Sequence, residues 1–277
     1  MFDLSLLDEH KVILSLFVWF LTAFWISFSG MLVWRLPVIF KVNFTDWTKD
    51  RTETTIMGRS HCDSCNRTLT AKDLIPVLGW ILNKGQCPAC HSKVSIQWPL
   101  MEAIFATLAV GIFFIPIPFH DRIGLWLLFL WLTLLSWMDD KTTWLPDIFT
   151  FPVIFSGLIF SPLGTPMMRA EGALMGWCLF LISLSWLCWK RKSFEFMSWG
   201  DIILAAGAGA WLGWNHMVSY LFLTIFIGLI YVSVKKIMDS STEYTEDGKM
   251  QIPFGPAMSC ALIVNLILLE IFHIQMI

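Results

Sequence analysis

Asp139, Asp140, Asp147 and Asp201 stand at the edges of long apolar runs, where an ionisable group is a candidate for function because burying its charge is costly. Asp139 and Asp140 close one apolar run, and Asp201 opens another behind Gly200. Two aspartates brought together from separate helices can share one proton, so that one accepts a proton from water while the other donates one to a leaving group. That is the chemistry of an aspartyl protease. The alternative is that these acids cap helices or sit solvated in loops, and Asp147, directly after Pro146, reads equally well as a cap. Gly200 would allow close backbone approach beside Asp201.

A second group carries different chemistry. Cys62 and Cys65 form one C-x-x-C pair and Cys87 and Cys90 another, at close to zinc-ribbon spacing. Each pair places two thiolates on one tight turn, and two such turns complete a tetrahedral site with no open position. Structural zinc is therefore expected. Redox thiols or disulfides are the alternative, and a cytoplasmic location disfavours lasting disulfides. His61 and His91 adjoin cysteines but are not needed as ligands, and Cys178, Cys188 and Cys260 read as small apolar side chains.

Membrane helices must position these groups. The 277 residues are 56% hydrophobic and 14% charged, with 16 tryptophans and 23 phenylalanines, and their mean hydropathy is +0.66. An ordinary soluble domain carries about 25% charged residues. Disorder, a basic nucleic-acid-binding domain and a secreted disulfide scaffold are all disfavoured. Val12 to Trp34 is uncharged and long enough to cross a bilayer, and the acidic Asp3, Asp8 and Glu9 before it do not suit a cleavable signal peptide. Further apolar segments near Trp98–Phe119, Ile123–Met138, Ile148–Gly164, Gly172–Trp189, Ile202–Val218, Ser219–Val234 and Ala257–Ile277 give an all-α polytopic fold of about eight transmembrane helices. One pair of short spans would equally fit a re-entrant hairpin.

The expected organisation is a first helix with its N-terminal tail over 1–34, a zinc-stapled polar insertion over 35–97, and a seven-helix membrane domain over 98–277. Sixteen of the 19 Lys and Arg fall on the side of that insertion, leaving Lys11, Arg122 and Arg169 opposite. The positive-inside rule then puts the insertion and the aspartates in the cytoplasm and both termini outside. Glu102, one turn inside the second span, is a weak candidate for contact with the insertion or a ligand; Glu270 lies inside the last span. The small-residue run from Ala205 to Ala210, with Gly213, points to close helix packing. No dinucleotide or P-loop motif is present.

With these pieces in place, the sequence resembles the prepilin peptidases of type IV pilus and type II secretion systems over nearly its whole length. The resemblance runs through Ser27-Phe28, Arg35-Leu-Pro37, His61 to Cys65, Ile75-Pro76, Gly79-Trp80, Cys87 to Cys90, and Trp98-Pro-Leu-Met-Glu102. It continues through Asp139, Leu145-Pro-Asp147, Gly200-Asp201, Trp211-Leu-Gly-Trp214 and Pro253-Phe-Gly-Pro256. It implies that Asp139 and Asp201 are the catalytic pair and Asp140 a bystander. Also implied are prepilin or pseudopilin substrates cleaved after a glycine, methylation of the new N-terminus by S-adenosylmethionine, and residence in the bacterial inner membrane. Two departures stand out: Ser198 replaces the first glycine of the family's G-x-G-D motif, and Ile26 and Gly30 occupy the usual Gly and Asn positions. A peptidase without transferase activity, an intramembrane aspartyl protease acting on ordinary helices, and a non-enzymatic transporter or assembly subunit are the competing readings.

Overall fold

Apolar runs of this length can satisfy their backbone groups in lipid only as helices, and helix dominates the chain. The structure, a computed structural model, describes residues 11–40, 58–191, 198–238 and 253–275. Lys192, Lys249 and the N-terminal acids lie outside the described residues, as do the side chains of Cys188, Lys190, Arg191, Lys235, Lys236 and Glu270. The helices are α1 (Lys11–Ile39), α2 (Leu78–Leu82), α3 (Gln97–Ile112), α4 (Phe119–Thr142), α5 (Asp147–Phe160), α6 (Pro166–Arg191), α7 (Trp199–Leu212), α8 (Met217–Met238) and α9 (Gly255–Gln275). The described residues contain no strand, only the isolated bridges His61–Thr68 and Gln86–Lys93.

All but α2 fall on the eight apolar segments of the sequence. Three stretches, Lys11–Ile39, Phe119–Thr142 and Trp214–Val234, are long and apolar enough to cross a membrane. The others are shorter or less apolar; α5 and α7 have 14 residues each. One expected span, Ile202–Val218, is broken in two. Gly213, at φ +74°, ends α7, and a 3-10 turn at Trp214–His216 leads into α8. A left-handed residue of this kind stops a helix at little cost only when it is glycine.

The chain divides into two compact units, Met1–Ile115 and Pro116–Ile277. In the first, α3 packs along α1, with the Trp19 indole N–H donating to Thr107 Oγ1 at 3.3 Å. The Arg35 guanidinium, at the end of α1, donates to Gly58 O at 2.5 Å.

In the second unit α7 is the hub. Every residue from Gly200 to Leu212 is buried, with α5 and α6 packed against it. Its small residues make this possible. A Cβ at Gly209 would collide with the carbonyl of Gly172, and one at Gly176 with the carbonyl of Ala205. A Cβ at Gly207 would stand 2.8 Å from Val153 Cγ1, and one at Gly157 2.8 Å from Ala210. Backbone meets backbone, as expected where van der Waals packing holds helices together in lipid. Gly209→Val has no flexible neighbour to displace and is expected to destabilise this unit by at least about 2 kcal/mol. A thermal melt of the detergent-solubilised protein should show a Tm lower by about 4–8 °C, whereas an unchanged Tm would mean that α6 and α7 separate freely.

Candidate active site and metal centre

Asp139 lies in the last turn of α4, buried to 3% exposure. Its Oδ2 accepts the Gly255 backbone N–H at 2.7 Å. Gly255 is the first residue of α9, whose free amides and dipole favour an anionic group at that end. The residue must be glycine here, because a Cβ would stand 2.8 Å from the same oxygen. The resemblance included Gly255 in Pro253-Phe-Gly-Pro256 without giving it a role. Its contact with Asp139 spans 116 residues of sequence, so only the fold discloses it.

Asp201 is buried to 4% exposure in the first turn of α7. Ser198 caps the helix: its Oγ accepts the Asp201 N–H at 3.3 Å, while Asp201 Oδ2 accepts the Ser198 N–H at 2.7 Å and the Ser198 O–H at 3.0 Å. This is a capping box closed by the aspartate. The departure from glycine at Ser198 thus supplies Asp201 with an extra donor. Asp201 Oδ1 is buried without a hydrogen-bond partner.

The helix ends that carry the two aspartates adjoin. Leu145 lies just beyond α4, and a Cβ at Gly200 would collide with its carbonyl. α9 packs on both α4 and α7. The other two acids stand apart from this arrangement. Asp140 accepts a hydrogen bond from the Tyr231 hydroxyl of α8 and pairs with Lys141 Nζ at 3.1 Å. Asp147 is exposed in the first turn of α5; the cap position is Pro146, and no side chain closes a cap hydrogen bond there.

The four cysteines converge. All four Sγ atoms lie within 4.8 Å of one another, with Cys62–Cys90 at 3.7 Å and Cys65–Cys87 at 3.9 Å. Zn–S bonds of about 2.3 Å in a tetrahedron require S–S edges of about 3.8 Å. The cluster therefore fits a metal ion with four thiolates. Two matching turns build it. Asn66 N–H donates to Cys62 O and His91 N–H to Cys87 O, each at 2.9 Å. Asn66 and His91 both take the left-handed conformation, at φ +55° and +57°. Neither His61 nor His91 belongs to the ligand set. The Ser92 hydroxyl lies 3.1 Å from Cys90 Sγ and 3.5 Å from Cys62 Sγ; its hydrogen bonding is the largest influence lowering both thiols, Cys62 to about 6.

Asp73 braces the space between the turns. It accepts the Thr70 N–H and O–H at 2.8 Å each, Arg67 Nη2 at 3.0 Å and Asn83 Nδ2 at 3.0 Å. The Thr70 amide does most to hold its carboxyl down, at about 2. Glu102 has a partner that the sequence did not disclose. Its Oε2 accepts the Val77 N–H at 2.7 Å, and Ser27 of α1 is a second neighbour of that carboxylate. Val77 sits at φ +61°, an outlier for a β-branched residue, so Glu102 holds a strained turn of the insertion against α3.

Two family descriptions match the chain. Residues 20–115 match the bacterial peptidase A24 N-terminal domain, and residues 126–233 match the type IV leader peptidase family. A prepilin leader peptidase/N-methyltransferase from Aeromonas salmonicida is 31% identical over 249 residues, covering 85% of this chain and 84% of that protein. This chain belongs to the prepilin peptidase family. Another relative of this prepilin peptidase family member is the type 4 prepilin-like proteins leader peptide-processing enzyme of Escherichia coli O78:H11, 29% identical over 89% of this chain and 91% of its own length. The Neisseria gonorrhoeae prepilin leader peptidase/N-methyltransferase is 28% identical over 94% and 91%. No solved structure matches.

Proposed function

We propose that this protein removes the basic leader of type IV prepilins or type II secretion pseudopilins and then methylates the new N-terminal amine with S-adenosylmethionine. The observation that carries the peptidase reading is the pair of buried carboxylates on adjoining helix ends, Asp139 under the α9 N-terminus and Asp201 inside its own capping box. Each keeps one oxygen tied to an amide. One aspartate takes a proton from the attacking water, whose oxygen bonds to the scissile carbonyl carbon; the other delivers a proton to the amine that leaves.

The methyl-transfer half rests on the names that the Aeromonas and Neisseria relatives carry. In that step the freed amine takes the methyl group from sulfur and gives up a proton. Glu102, whose Oε2 accepts the Val77 N–H, keeps its other oxygen as a candidate contact for the donor. We place the 35–97 insertion and both aspartates on the cytoplasmic side of a bacterial inner membrane, with both termini periplasmic. Zinc would hold Cys62, Cys65, Cys87 and Cys90 as a rigid support for the turn that meets Glu102.

The test is mass spectrometry of a prepilin N-terminal segment incubated with the purified protein and S-adenosylmethionine. Cleavage with one added methyl is expected. Cleavage without a methyl keeps the peptidase and removes the transferase; an intact segment in the presence of folded, metal-loaded protein overturns both.

A further inference from the structure

The insertion carries an open apolar edge beside its second cysteine turn. Gln86 and Lys93, at the two ends of the Cys87–Cys90 turn, form a bridge. Next to it the Val94 N–H donates to Gly85 O at 2.8 Å and the Trp80 indole N–H to Val94 O at 3.0 Å, so that Ile81 and Leu82 of α2 are gathered with Val94 and Ile96. All four are exposed. Two exposed lysines accompany them, Lys84 and Lys93, one on each arm of the bridge. Of the two acids in the described insertion, Asp63 belongs to the first cysteine turn, and the Asp73 carboxylate is taken by Arg67, Thr70 and Asn83.

This edge continues into the helices of its unit. Ile96, Leu100, Ile104 and Leu108 are exposed at four-residue spacing, one stripe that runs from the edge along α3. The Trp19–Thr107 bond fixes α3 against α1. The insertion is tied both to Arg35 at the end of α1 and to Glu102 near the start of α3, so the two helices run antiparallel. Gln97 is then about 15 Å along α3 from Thr107, whereas Trp34 is about 22 Å along α1 from Trp19. The start of α3 thus falls short of the end of the uncharged run Val12–Trp34, and the edge beside it is level with the headgroup layer of a bilayer that α1 crosses.

We propose that this edge is a docking surface for anionic phospholipids, with Leu82 and Ile96 among the upper acyl carbons and Lys84 and Lys93 on lipid phosphates. Lysine stems cover apolar surface while their ammonium groups reach outward, and basic side chains at this level are drawn to an anionic leaflet. The inference rests on α1 crossing the membrane and is independent of the aspartates.

Photo-crosslinking of the full-length, metal-loaded protein in nanodiscs of phosphatidylcholine and phosphatidylglycerol in equal parts tests it. Leu82→p-benzoylphenylalanine is illuminated beside the same substitution at Phe17, an exposed residue of α1; Ile96→p-benzoylphenylalanine repeats the measurement if the Leu82 variant loses its metal. Phospholipid adducts are expected at Leu82 and at Phe17. Lys84→Gln with Lys93→Gln should lower the Leu82 yield about fivefold or more, at least the weight of one basic side chain at an anionic surface, as should discs of phosphatidylcholine alone, while the Phe17 yield stays unchanged. A lipid adduct at Phe17 only, or a Leu82 yield indifferent to the lysines and to phosphatidylglycerol, overturns the proposal. A Leu82 crosslink to a second copy of the chain overturns it in favour of a self-interface. No lipid adduct at Phe17 overturns the bilayer placement of α1 itself.

Discussion

Asp201→Asn and Asp139→Asn should each reduce prepilin cleavage by about 10²- to 10⁴-fold, the contribution of a positioned acid or base, while leaving the fold intact. Asparagine has almost the same volume as aspartate, and its carbonyl oxygen can still accept the Ser198 N–H or the Gly255 N–H that now bond the carboxylates. What it lacks is a proton to take or give. Asp140→Asn is the internal control. That side chain is joined to Tyr231 and Lys141, and a partly exposed pair of this kind contributes only about 0–1 kcal/mol. Its cleavage rate should stay near wild type. Initial rates on one prepilin segment, with Tm measured for each variant, decide the matter: cleavage above about a tenth of wild type in either principal variant would remove that aspartate from the chemistry.

Loss of the metal should be the larger structural effect. Between Gly58 and Ile96 the described elements are one five-residue helix and two isolated bridges, too little apolar burial to order a segment of this length alone. A four-thiolate zinc site contributes apparent folding energies of about 10–16 kcal/mol in small domains. Cys62→Ser combined with Cys87→Ser removes one ligand from each turn. Metal content should fall from about one ion per chain to none. Trypsin should then cut at Arg59, Arg67, Lys72, Lys84 and Lys93, sites that the metal-loaded protein protects. A strong chelator should reproduce that pattern in the unmodified protein. Resistance to trypsin after complete metal removal would show that the hydrogen bonds of Asp73 hold the turns without an ion.

Much of this was legible in the sequence because the signals are local. The two C-x-x-C pairs announce their turns within a few residues, and the structure closes them into one cluster. The apolar runs announce helices, and eight of them form where expected. The run of alanine and glycine after Asp201 reads as close packing and is found at the centre of its unit. What escaped depends on distance along the chain. Gly255 reaches Asp139 across 116 residues, and Glu102 reaches Val77 across 25; no periodicity marks either pair. The break at Gly213 was hidden because Asn215 and His216 are the only polar side chains in Ile202–Val218, and hydropathy does not register a change of backbone hand. The left-handed Asn66 and His91 are similarly silent, since each occupies an ordinary polar position after a cysteine.

α5 and α7 have 14 residues each, which at 1.5 Å per residue makes them about 21 Å long against a hydrocarbon core of about 30 Å. They pack together, and α5 turns Phe151, Phe155, Ile159 and Phe160 outward. Beside lipid, a face of this length is shorter than the acyl chains it meets, a mismatch that local thinning of the bilayer would relieve. Short-chain lipids would fit this face with the least deformation, so the protein's stability in bilayers should depend on their thickness.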